Sequence, residues 1–143
     1  MLAISGGIDS MVLLDLFKKL GFEIAIAHCN FQLRGQESQD DQAFIENYSK
    51  ENNIPLFVTQ FDTKAFAEDF KLSIQVAARE LRYKWFYELL EAEKYDYVLT
   101  AHHADDNIET FLINLSRGSG LEGFTGITIQ KDNTNRPLLN ISR

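Results

Sequence analysis

Short apolar runs alternate along the chain with stretches of helical spacing. Leu2-Ala3-Ile4 reads as the end of a buried strand, and Ser5 to Ser10 as the tight turn after it. Between Asp9 and Leu20, Met11, Val12, Leu13, Leu14 and Phe17 form the apolar face of a predicted helix, which Gly21 ends. Glu23–Ala27 predicts a second strand, and Asn30–Gln36 a loop. Ser38 stands where an N-cap would, with Asp40 and Asp41 in the first turn of a helix reaching about Asn52. Ala43, Phe44 and Tyr48 would face inward, and Pro55 blocks continuation. Leu56–Phe61 predicts a third strand and Thr63–Phe70 a short helix. Ser73 opens a long helix to about Lys94, with Ala77, Leu81, Trp85 and Leu89 inward. Tyr97–Ala101 predicts a fourth strand, Ala104–Leu115 a helix and Arg117–Gly126 a glycine-rich loop. Ile127–Gln130 reads as a further strand, and Arg136 to Leu139 as extended chain.

Strands alternating with helices predict an α/β fold, a parallel sheet flanked by helices on both faces. Ligands of such sheets sit beyond the carboxyl ends of the strands. Ser5–Ser10, His28-Cys29-Asn30 and His102-His103 each follow a predicted strand, so three separate segments converge on that rim.

The 143 residues fit one domain, which can bury a core without disulfides. Cys29 is the single cysteine, which suits a reducing compartment and supplies no CxxC pair. No apolar run approaches membrane-spanning length, and no signal peptide is visible. The net charge of −7 opposes unaided binding to a polyphosphate backbone, so a nucleic-acid partner would need a local basic patch or a further domain.

The hexapeptide Ser5-Gly6-Gly7-Ile8-Asp9-Ser10 carries the first chemistry. Its glycines let the backbone approach an anion, and the helix start behind it offers amide donors and a positive dipole end. Ser5 and Ser10 can add hydroxyl donors. The segment is neither GxGxxG nor the common GxxxxGK loop, since it contains no lysine. Asp9 inside a phosphate cradle suggests a Mg2+ ligand or a cap of its own helix. A plain capped turn is the bland reading; the strand–helix setting favours phosphate binding.

The second is His102-His103-Ala104-Asp105-Asp106-Asn107-Ile108-Glu109. On a helix Asp106 and Glu109 share a face, and Asp105 and Glu109 are also neighbours, so a cation should offset them: a metal, an arginine or an amine. Solvated carboxylates complementing the helix dipole are the bland alternative. Adjacent histidines rarely bind one ion, so no zinc site is read here. Arg79 and Arg82 could face phosphates or form ordinary exposed ion pairs. Arg117-Gly118-Ser119-Gly120 reads as a phosphate or RNA clamp or as a helix C-cap. Cys29 is a nucleophile near the rim or, more commonly, a small buried hydrophobe.

Ser5–Ser10 resembles the SGGxDS signature of the PP-loop ATP-pyrophosphatases. Within that superfamily, His28–Arg34, Ala78–Tyr83, Ala101–Thr110, Arg117–Gly120 and Arg136–Leu138 resemble the tRNA(Ile)-lysidine synthetase family, in its order and over nearly the whole chain. The resemblance implies a Rossmann-like PP-loop fold of the adenine nucleotide α-hydrolase kind. It implies an enzyme using ATP and Mg2+ to adenylate the 2-carbonyl oxygen of the wobble cytidine in the CAU anticodon of tRNA(Ile). The ε-amine of free L-lysine then displaces AMP. Carried over by position, Ser5, Gly6, Gly7, Ile8, Asp9 and Ser10 would bind ATP, with Asp9 near Mg2+. Asp9, Asp106 and Glu109 would be catalytic, and Asp106, Glu109 and Arg82 would bind lysine.

Many members of that family have a histidine where this chain has Phe31, so no role carries over there. They also begin earlier and run longer, so residues 1–143 read as a catalytic domain truncated at both ends, in a cytoplasmic enzyme. Other PP-loop enzymes are the nearest rivals: a tRNA thiolase would need CxxC pairs, and amidating synthetases use ammonia. A non-catalytic ATP-binding module would need no second acidic cluster.

Overall fold

In the computed structural model of the chain, residues 1–106, 108, 128–131 and 133–141 are described. The elements are β1 (Leu2–Ala3), α1 (Ile8–Lys19), β2 (Ile26–Asn30), α2 (Gln36–Asn52), β3 (Leu56–Gln60), α3 (Thr63–Asp69), α4 (Ile74–Glu93), β4 (Val98–Leu99), β5 (Gln130–Lys131) and β6 (Thr134–Asn135). They build one sheet in the order β3-β2-β1-β4-β6-β5. Every pairing is parallel except that of β5 with β6, an antiparallel edge.

Side-chain alternation explains why helices cover both faces. Leu2 is in register with Ile26 and Leu99, and Ile26 with Leu56. These four pack with Leu13 and Leu14 of α1 and Ile45 of α2. The intervening Ala27 and Val98 pack with Phe86, Leu89 and Leu90 of α4, and Ala3 and Phe57 join them. Each large apolar side chain so buried contributes roughly 1.5–3 kcal/mol. The chain leaves β1 through α1 on one face and reaches β4 through α4 on the other. The strand order therefore reverses between β1 and β4, the position where open α/β sheets hold ligands.

The fold class and most elements are as expected, and α4 opens at Ser73, whose hydroxyl accepts from Val76 N. Several details differ, among them Val12, which is exposed rather than inward, and the fifth strand, which is Gln130–Lys131. The second strand is Ile26–Asn30, not Glu23–Ala27. Polar His28 and Asn30 continue it because their side chains are bonded: His28 Nδ1 to Ile4 O (2.8 Å), and Asn30 Nδ2 to Gln42 Oε1 (2.9 Å). The second helix is capped at Gly35, whose φ of 55° turns the chain there. Ser38 instead lies inside the first turn and reaches back to accept from Arg34 N (3.2 Å). Ile45 and Ser49 are the residues α2 buries, while Ala43 and Phe44 face outward. Lastly, Arg136 to Leu139 folds into a turn closed by Leu139 N donating to Arg136 O, and β6 just before it was not anticipated. Ala104–Asp106 and Ile108 are helical as expected; the rest of Ala104–Leu115 and the Arg117–Gly126 loop lie outside the described residues.

Candidate functional site

The turn after β1 is held by its own side chains. Ser5 Oγ accepts from Gly7 N (3.3 Å), and Ser10 Oγ accepts from Ser5 N (3.3 Å). Ser10 donates its proton to Gly7 O (2.8 Å), and the two hydroxyls lie 3.3 Å apart. Buried Ser10 thus spends its donor on the loop itself rather than on a ligand, whereas Ser5 is exposed and can redirect its hydroxyl. Gly6 takes φ +94°, a conformation that side chains resist, and Asp41 of α2 packs 3.5 Å from where a β-carbon would stand.

Behind the turn, α1 starts at Gly7 with no side-chain cap. Its first intrahelical bond is Met11 N to Gly7 O, so earlier amides, those of Ile8 and Ser10 among them, remain at the helix mouth. An uncapped helix start beside a self-braced glycine turn is a ready anion cradle. Asp9 lies in the first turn rather than at the cap.

Across the switch point, the segment after β4 forms the opposing wall. Asp106 Oδ2 accepts from His103 N (2.9 Å), so Asp106 caps its own helix from the third helical position. The same oxygen lies 3.5 Å from His103 Nε2, which is 3.7 Å from Asp9 Oδ2. His103 therefore links the two walls and sits where the clustered carboxylates need an offsetting group. Asp105 Oδ2 is 3.8 Å from His103 Nδ1.

Positive charge converges on the same place. His102 is bonded through Nδ1 to Thr100 Oγ1 (2.8 Å), and its pKa is lowered by burial first, then by Arg136, Arg82 and Arg79, with Asp106 opposing. Arg136, Arg82 and Arg79 thus all lie close enough to act on His102. Arg82 lies 5.1 Å over the Phe31 ring, and Arg79 5.1 Å over Tyr83. Arg136 is only 4% exposed and donates to Thr128 O (2.8 Å) and Tyr83 Oη (3.3 Å). The Cys29 thiol is pushed up to about 12, chiefly by burial, which leaves it protonated and favours the buried-hydrophobe reading over the nucleophile.

Both walls open onto one cavity of about 330 Å³. Ser5, Gly7, Asp9, Ser10, Arg82 and Asp106 all line it. Ile8 belongs to the turn, but its side chain is 69% exposed, so only its backbone can serve a ligand there. Glu109 and Arg117–Gly120 lie outside the described residues. Phe31 and Thr100, which sequence reasoning left without a role, also line the cavity. No spacing signal marks them, because their contacts are tertiary.

A parallel α/β sheet with an uncapped, glycine-built strand–helix turn at its switch point defines a nucleotide-binding α/β domain. More closely, the chain belongs to the PP-loop domain family, whose model matches residues 1–143. It is 46% identical over 144 residues to the tRNA(Ile)-lysidine synthase of Porphyromonas gingivalis, covering 100% of this chain and 32% of that protein. To the tRNA(Ile)-lysidine synthase of Chlorobaculum tepidum it is 44% identical over 147 residues, covering 100% of this chain and 44% of that protein. The chain thus spans a third to under half of these relatives' length. Among solved structures, the U34-tRNA thiolase NcsA of Methanococcus maripaludis shares the fold at a TM-score of 0.76 and 18% identity, over 99% of this chain and 52% of that one.

Proposed function

We propose that the chain is the catalytic domain of an ATP-dependent tRNA(Ile)-lysidine synthase. The observation that carries this reading is a single cavity lined by the Ser5–Ser10 turn on one side and by Asp106 and Arg82 on the other. The close relatives of this chain bear that enzyme's name.

ATP places its phosphates on the amides of Ser5–Ser10. The 2-carbonyl oxygen of the wobble cytidine in the CAU anticodon attacks the α-phosphorus, and pyrophosphate leaves. The ε-amine of free L-lysine then attacks carbon 2 and expels AMP. Asp106, with Glu109, holds the ammonium group, and Arg82 receives the lysine carboxylate or a phosphate. The amine, with a pKa of about 10.4, must lose a proton before it attacks, and a neighbouring carboxylate accepts it.

The site also fits Mg2+. Asp9 offers a hard oxygen donor beside the turn, and among the described residues no set of three side chains closes a metal shell. Asp9 would hold such an ion, whose charge would help to neutralise the charge developing on the phosphates. Among the described residues, no helix is long and apolar enough to cross a membrane. We place the enzyme in the cytoplasm, where its tRNA is found, and the further length of the relatives would carry most tRNA contacts.

The test is the full-length protein with ATP, radiolabelled lysine and unmodified tRNA(Ile). Label in the anticodon loop, with stoichiometric pyrophosphate release, is the expected result. Pyrophosphate release without lysine incorporation would instead favour another PP-loop modification.

A further inference from the structure

Two arginines, Arg34 and Arg82, are held in different ways. Arg34 is exposed and ion-paired with Glu37 and, at 2.7 Å, with Asp41. Arg82 is half-buried, lines the cavity and pairs with no carboxylate among the described residues. Its guanidinium instead lies 5.1 Å from the centre of the Phe31 ring. We propose that Phe31 is a positioning residue that aims Arg82 into the cavity, where no carboxylate of the described residues takes up its charge.

A carboxylate would grip the guanidinium more strongly, but it would occupy the planar donors and cancel the charge needed for an anionic substrate group. An aromatic face attracts the cation through its quadrupole and leaves the N–H donors pointing outward in their own plane. In a chain carrying −7 charge, with Asp9 and Asp106 on the same cavity, this choice of partner matters.

Phe31 is braced for the task. Its ring stacks on Phe61 with centroids 5.7 Å apart and planes at 27°. Its carbonyl accepts from Thr63 Oγ1 (2.9 Å). Just before it, Asn30 accepts from Phe61 N through its carbonyl (2.9 Å) and from Gln32 N through Oδ1 (3.0 Å). The ring therefore stands on the end of β2 and the loop before α3, while Arg82 comes from α4. The contact ties two sides of the cavity together.

What Arg82 receives rests on the proposed function; that Phe31 positions it does not. Three variants of the full-length enzyme separate the two. Phe31→Met and Phe31→Leu keep apolar bulk and remove the ring, whereas Phe31→Tyr keeps it. The Arg82 Nε–H resonance, assigned through Arg82→Lys, reads guanidinium order without any turnover. In Phe31→Met and Phe31→Leu its order should drop towards that of a solvated arginine, and in Phe31→Tyr it should match the wild type. Correspondingly, KM for lysine or for ATP should rise roughly three- to tenfold in the ringless variants, with kcat within about twofold, and Phe31→Tyr should restore it. Unchanged Arg82 order in the ringless variants, or an equal KM defect in Phe31→Tyr, would overturn the proposal. Failure of the wild-type enzyme to bind lysine would remove the proposed function and leave the order measurement decisive for Phe31.

Discussion

The two walls of the cavity are built on opposite plans. The Ser5–Ser10 wall is mainly backbone held by hydroxyls, with Asp9 as its one charged side chain: the hydrogen bonds of Ser5 and Ser10 run between the turn's own atoms. The wall after β4 carries charged side chains, with Asp106 and the His103 ring facing Asp9 and with Arg82, Arg79 and Arg136 acting on His102. A backbone cradle suits a triphosphate, whose position is set by shape and many weak donors. A charged wall suits a small substrate with an ammonium and a carboxylate, where sign decides. On the proposed function, the difference makes nucleotide and amine recognition separable, one by geometry and the other by electrostatics.

The comparison breaks most sharply at Gly6. Valine there must adopt φ +94°, at a cost of roughly 1–3 kcal/mol, and its side chain meets Asp41. Gly6→Val should weaken ATP binding about tenfold to a hundredfold in calorimetric titration and lower the unfolding midpoint; affinity within twofold of wild type would refute the cradle. Ser10→Ala removes the donor to Gly7 O and the acceptor for Ser5 N together. It should cost about 1–2 kcal/mol of stability and weaken ATP roughly fivefold to tenfold, with lysine affinity little changed. Equal losses for both ligands would mean that the walls are not separable.

On the charged wall, His102 gives a pH signature. Burial and the three arginines lower its folded pKa, while the unfolded chain titrates near 6.5. As pH falls below 6.5 the unfolded chain takes up the proton first, so stability should drop there and be regained as pH rises. His102→Asn should flatten that arm of the stability profile in denaturant titrations; an identical profile would contradict the burial argument. Cys29 gives the smallest effect. With a pKa of about 12 it should resist alkylation at pH 8 in the folded protein, and Cys29→Ala should leave ATP affinity within about twofold. Rapid labelling would return the thiol to the list of reactive groups.

Much of this architecture was legible from residue order. Ser73 marked the start of α4 because a hydroxyl before a helical period has one good use. The glycine pair after a short apolar run located the cradle, and the position of His102 to Asp106 after β4 put the second wall on the same rim. The misplaced second strand and the unmarked site contacts share one cause: side chains whose partners are far away in sequence. His28 and Asn30 look like loop residues until Ile4 O and Gln42 are placed beside them. The approach of Asp41 to Gly6 and the hold of Phe31 on Arg82 leave no periodic trace. Asp106 caps its helix through Oδ2 and also lines the cavity.

That double position decides the most direct test. Asp106→Asn keeps a cap acceptor and removes only the charge, so the helix start should survive. In the full-length protein with ATP, tRNA(Ile) and radiolabelled lysine, the account predicts ATP affinity within about twofold of wild type and lysine incorporation reduced at least about a hundredfold. Wild-type labelling by Asp106→Asn, or a parallel collapse of ATP binding, would contradict the division of labour between the two walls.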